Sequence, residues 1–88
     1  MRDKRFAKAL GITLKTIRRL RGFKVITVHS ELGFSETSVT SWEMGRHMPT
    51  LEKLYALSAL YRVRMSTIME NAEATMIKME KGKTDDRS

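Results

Sequence analysis

The sequence predicts an all-α protein of about five helices, and three observations carry that prediction. Apolar residues recur at three- and four-residue spacing in successive segments, while glycines and the single proline fall between them. No stretch of useful length alternates apolar with polar residues as a half-buried strand would. The β-branched run Val25-Ile26-Thr27-Val28 is the one ambiguous segment. Eighty-eight residues leave room for one small domain, and a hydrophobic content of 41% supplies a modest core.

The first helix is carried by Phe6, Leu10, Leu14, Ile17 and, on its flank, Leu20, with Gly22 as its stop. Gly11 lies inside it and costs on the order of 1 kcal/mol relative to alanine, which a close packing contact at that turn would explain. Two short helices follow, roughly Val25 to Leu32 and Glu36 to Glu43. Gly33 takes the left-handed turn after the first of them, and Ser35 caps the second. Met44 to Pro49 is a loop. Thr50 is a natural N-cap for a helix carrying Leu51, Leu54, Tyr55, Leu57, Ser58 and Tyr61. Arg62 to Arg64 breaks that pattern, and a last helix runs from about Ser66 to Lys81. Gly82 to Ser88 reads as a polar, disordered tail.

Charge is unevenly placed. The chain holds 17 Lys and Arg against 10 Asp and Glu, a net +7. Arg2, Lys4, Arg5, Lys8, Lys15, Arg18, Arg19, Arg21 and Lys24 face only Asp3, so residues 1–24 carry +8 and the remainder −1. A basic excess favours polyanionic partners, either nucleic acid or an anionic membrane surface.

Several chemistries are excluded. With no cysteine there is no disulfide, Cys-based zinc site or thiol nucleophile, which fits a reducing cytosol. No apolar run approaches the roughly 20 residues of a membrane span, and Met1-Arg2-Asp3-Lys4-Arg5 leads into an amphipathic segment rather than a signal-peptide core. The expectation is a soluble, cytoplasmic protein with no membrane partner. His29 and His47, 18 residues apart with no supporting carboxylates, do not make a zinc site, and no cofactor is expected. Neither a phosphate-cradling glycine loop nor a nucleophile with its base is present, so the chain reads as no enzyme.

Leu10-Gly11, Leu14, Ile17-Arg18, Gly22-Phe23, Leu32-Gly33-Phe34-Ser35, Val39, Trp42-Glu43, Gly45, Pro49-Thr50-Leu51-Glu52, Leu54 and Val63 fall in a joint spacing. In order and register, from about residue 10 to residue 69, the chain resembles the XRE-type helix-turn-helix domain of Cro and phage repressors. The resemblance implies a lambda-repressor-like domain over residues 1–69, then a C-terminal helix over 70–82 and a tail over 83–88. It also implies a sequence-specific DNA-binding transcriptional regulator, a repressor on a palindromic operator, acting as a homodimer on double-stranded DNA. The alternative on the same fold is a protein-interaction module such as an antitoxin or an antirepressor-binding protein. A further rival, a membrane-surface module, would use the cationic face of the first helix.

In such domains the second helix of the motif enters the major groove and the first crosses the backbone. The implied base contacts are Glu36, Thr37, Thr40 and Ser41, because Val39 and Trp42 should face the core. Phosphate contacts fall to Lys24, before the motif's first helix, and to Arg46 and His47 in the following loop. Arg18 and Glu43 stand where the family carries a structural ion pair.

Four positions depart from the family's pattern. Lys24 and Val25 replace a capping Ser or Thr and a Gln, and Arg62 replaces a glycine at a helix end. His29 stands where a small residue is usual, read either as a satisfied core histidine or as a sign of a tilted helix or a partner surface.

In the last helix, Met65, Met69, Ala72, Met76 and Met79 repeat at heptad-like spacing. Met65, Ile68 and Met69 are read as packing on the chain's own core. Ala72, Met76, Ile77 and Met79 are read as a seam for a second copy or a partner helix.

Overall fold

The computed structural model describes residues 4–85, with side chains as far as Lys81. It contains five helices and, among the described residues, no strand: α1 Arg5–Leu20, α2 Val25–Leu32, α3 Glu36–Glu43, α4 Leu51–Tyr61 and α5 Met65–Asp85. The ambiguous β-branched run is the first turn of α2, where burial of Val28 outweighs a weak local preference.

Helix α1 is the hub. Its Ala9, Leu10, Leu14 and Ile17 form a buried stripe, and α3 and α5 both pack on it. Leu20 sits outside that stripe, 79% exposed. Where α3 crosses α1, Gly11 makes the approach possible: a methyl group there would stand 2.5 Å from the Trp42 carbonyl oxygen and 2.6 Å from that of Glu43. Backbone cannot yield as a flexible side chain does, so glycine is required at that crossing.

The turn between α2 and α3 is short because each end is chemically closed. Gly33 adopts φ 80° and its amide donates to the His29 carbonyl at 2.8 Å. Ser35 Oγ accepts from the Ser38 amide at 3.0 Å. Thr50 caps α4 in the same way, accepting from the Lys53 amide at 3.2 Å. At the other end of α4, Arg62 takes up φ 59°, the conformation for which the family uses glycine.

Helix α4 buries Leu54, Leu57, Ser58 and Tyr61, a narrower face than the sequence pattern drew, since Leu51 and Tyr55 are exposed. Ile68 and Ala72 of α5 are fully buried in the core shared with α1, and Met65 and Met69 pack beside it. Residue 70 therefore marks no boundary in the core. Ala72 must also be withdrawn from the expected seam, because its methyl group is spent inside this chain. The helix continues to Asp85 rather than ending at Lys81. A single glycine at 82 costs about 1 kcal/mol and does not by itself stop a helix. Of the expected disordered tail, residues 86–88 lie outside the described residues.

Candidate nucleic-acid interface

The outward face of α3 is defined by what its inner face buries. Val39 and Trp42 point into the core, with Phe34 edge-on to Trp42 at 5.4 Å between centroids. Helical periodicity then leaves Glu36, Thr37, Thr40 and Ser41 on the opposite side. These four and the loop residues Arg46 and His47 line a single open cleft. The loop is drawn against the helix by a hydrogen bond between Ser41 Oγ and His47 Nδ1, 2.7 Å long. Gly45 allows that path, with φ 77° and a site for a methyl group only 2.8 Å from the Lys8 Cα.

Lys24 is not part of this cleft. It is exposed and stands at the N-terminus of α2, where it makes no side-chain cap. A helix N-terminus favours an anion, so the position suits a phosphate even without the oxygen-bearing cap.

Behind the cleft, Arg18 reaches the end of α3. Its Nε donates to Glu43 Oε2 at 2.7 Å and a terminal nitrogen donates to Oε1 at 3.0 Å. The other terminal nitrogen donates to the Phe23 carbonyl at 2.8 Å. Both side chains are nearly buried, 10% and 7% exposed. The hydrogen bond to Glu43 raises the Arg18 pKa above its ordinary value, against the opposing effect of burial, so the guanidinium stays charged. One side chain thus ties α1, the segment before α2 and the end of α3 together.

His29 is exposed, which corrects the core reading. Its Nδ1–H donates to the Phe34 carbonyl at 2.8 Å, so it braces the turn from outside instead of filling the helix contact. Arg21 carries a role that sequence reasoning missed. Its Nε donates to the Tyr61 carbonyl at 2.8 Å and Nη2 to that of Arg62 at 3.1 Å, closing the C-terminal end of α4. The sequence signal for it is indirect: a helix end lacking glycine needs another donor for its last carbonyls.

The basic N-terminal segment is therefore partly committed within the chain. Arg18 and Arg21 make the contacts above, and Arg5 pairs with Glu80 of α5 at 2.9 Å. The recognition face itself carries Glu36 and no Lys or Arg within α3.

Among the described residues, no cluster of His, Asp or Glu has the makings of a metal site, and no helix is long and apolar enough to cross a membrane. A capped two-helix motif presenting one polar helical face beside a basic loop defines a class, the helix-turn-helix domains that address the DNA major groove. The chain belongs to the helix-turn-helix family of XRE type, Cro- and C1-like, whose model matches residues 14–68. Membership implies DNA binding, and the family is typically non-enzymatic. A search of curated proteins and a search of solved structures return no significant match.

Proposed function

We propose that this protein is a sequence-specific transcriptional regulator of the cytoplasm, a repressor that occupies a palindromic operator as a dimer. The observation that carries the reading is the cleft: four short polar or acidic side chains on the outer face of α3 share one concave surface with a cation and a histidine. Glu36 accepts from the cytosine amino group, while Thr37, Thr40 and Ser41 bond base edges or the nearest phosphates. Arg46 and His47 meet one strand of the backbone from the loop, and Lys24 meets it from the start of α2. Arg18 and Glu43 take no part in base reading; they hold α3 at the angle from which the others reach DNA.

Dimerisation is assigned to Met76, Ile77 and Met79 on the later part of α5. Ile77 is 53% exposed and the two methionines are half-buried. Two copies joined there would present two α3 helices to successive major grooves about 34 Å apart, which calls for a two-fold symmetric site.

The experiment is a salt titration of binding to duplexes enriched from a random pool, combined with sedimentation. Neutralising several phosphates makes affinity fall linearly in logarithmic salt, by about 10-fold or more between 50 and 200 mM. The expected result is that fall, with two chains per duplex. Affinity insensitive to salt, or a monomer at tens of micromolar bound one-to-one, contradicts the phosphate and dimer assignments respectively.

A further inference from the structure

The hydrogen bond between Ser41 and His47 joins a residue assigned to base reading to one assigned to phosphate, and its direction is not neutral for recognition. A hydroxyl has one hydrogen to donate and two lone pairs to accept with, whereas a neutral imidazole has one donor and one acceptor nitrogen. At 2.7 Å, Ser41 Oγ and His47 Nδ1 share a single hydrogen between them. Which of the two supplies it decides what Ser41 has left for a base.

We infer that His47 sets the hydrogen-bonding polarity of Ser41, and through it the bases that α3 accepts, according to whether the imidazole is neutral or protonated. This rests on the DNA-binding reading above. In the neutral ring, a phosphate contact requires the hydrogen on Nε2, because a phosphate oxygen only accepts. Nδ1 is then a bare acceptor, and the Ser41 hydroxyl donates to it. Ser41 faces the groove with lone pairs alone and accepts from an exocyclic amino group, that of adenine or cytosine. A proton added to the ring goes to Nδ1, which becomes the donor in the same hydrogen bond. The Ser41 hydrogen is released toward the groove, where it donates to the N7 or O6 of guanine or to the O4 of thymine.

The charged side chains sharing the cleft are Glu36 from α3 and Arg46 from the loop itself, one of each sign. Helix α1 brings the backbone of Lys8 against Gly45 in the same loop. The two partners belong to different elements, the last turn of α3 and the loop beyond it, so the coupling depends on the loop staying folded against the helix.

The test uses the full chain and the enriched duplex, with each of the four base pairs placed in turn at the position Ser41 protects. Relative affinities are measured at two pH values, one where nitrogen spectra show the His47 ring neutral and one where they show it protonated. Adenine or cytosine should be preferred at the higher pH, and that preference should shrink or invert by about fivefold at the lower, the scale of one hydrogen bond. In His47→Gln the relative affinities should not change with pH, and in Ser41→Ala the discrimination should be lost at both. Nitrogen spectra of His47 in the complex give a second readout: at the higher pH the ring should carry its hydrogen on Nε2, toward the phosphate. A ring protonated on Nδ1 there overturns the inference, as does base preference that is the same at both pH values while binding persists. If no duplex binds at either pH, the DNA-binding reading falls, and the inference falls with it.

Discussion

Arg18 is the residue on which the geometry of the interface turns. Its guanidinium spends three nitrogens on Glu43 and the Phe23 carbonyl, and it sits 8% exposed between α1 and α3. Removing it strands the Glu43 carboxylate in a nearly buried site, at a cost of roughly 3–5 kcal/mol. Arg18→Ala should therefore lose thermal stability before it loses base preference; a well-folded variant with selectively altered preference would show that Arg18 reads DNA instead. Arg62 is the contrasting case. It is the one described non-glycine residue at positive φ, where an L side chain costs about 1–2 kcal/mol relative to its usual backbone region. Arg62→Gly keeps the carbonyl that Arg21 caps, so denaturant melts should show it more stable by about 1 kcal/mol, less the entropy glycine adds to the unfolded chain. A loss of stability would mean the arginine side chain makes a contribution larger than its strain.

Among the elements, α2 and α3 were the most legible in the sequence. Val25 to Leu32 and Glu36 to Glu43 are the helices found, because Gly33 and Ser35 act locally on the chain they terminate. The outward face of α3 followed once Val39 and Trp42 were placed inside. What escaped depends on partners that only the folded chain brings together. Arg21 caps carbonyls 40 and 41 residues away, Ala72 is buried by α1, and His29 bonds outward to a carbonyl whose position only the folded turn fixes. Spacing cannot reveal such contacts, since periodicity reports which residues share a face and not what covers it. A close packing contact at Gly11 was anticipated from its place mid-helix, but that α3 makes the contact was not. Gly11→Ala gains helix propensity of about 1 kcal/mol, yet it drives a methyl group into two carbonyl oxygens, and overpacking against backbone costs about 1–3 kcal/mol or more. Thermal unfolding should show net destabilisation and a displaced α3; a stabilised variant would place the two helices farther apart than described.

At the scale of the whole molecule, the largest fully buried side chain among the described residues is Tyr61, which is 1% exposed and packs against Phe23 with ring centroids 5.6 Å apart. Burial pushes its phenol well above the ordinary tyrosine range, with the nearby Glu43 charge adding to the rise. A raised folded-state pKa leaves stability intact while the phenol stays protonated in both states, below about pH 10. Above that the unfolded chain ionises first, so stability falls as pH climbs. Alkaline denaturation of Tyr61→Phe should have a shallower slope above about pH 10; an unchanged slope would assign the loss to other groups.

The charge of the whole chain divides in a related way. Of the described basic residues in the first 24, Arg5, Arg18 and Arg21 are engaged with other parts of the fold, and in the proposed function the other described ones supply the field that draws DNA in. In the proposed function, specificity is left to the nearly neutral cleft on α3. Its most direct measurement is selection of bound duplexes from a random pool at physiological salt, run in parallel for the natural chain and for Glu36→Gln. A two-fold symmetric consensus is expected for the natural chain. The substitution should change base preference at one position in each half-site, with a cytosine lost there, by a factor of about 5–100. An identical consensus from both proteins, or no consensus from either, would contradict this assignment of specificity.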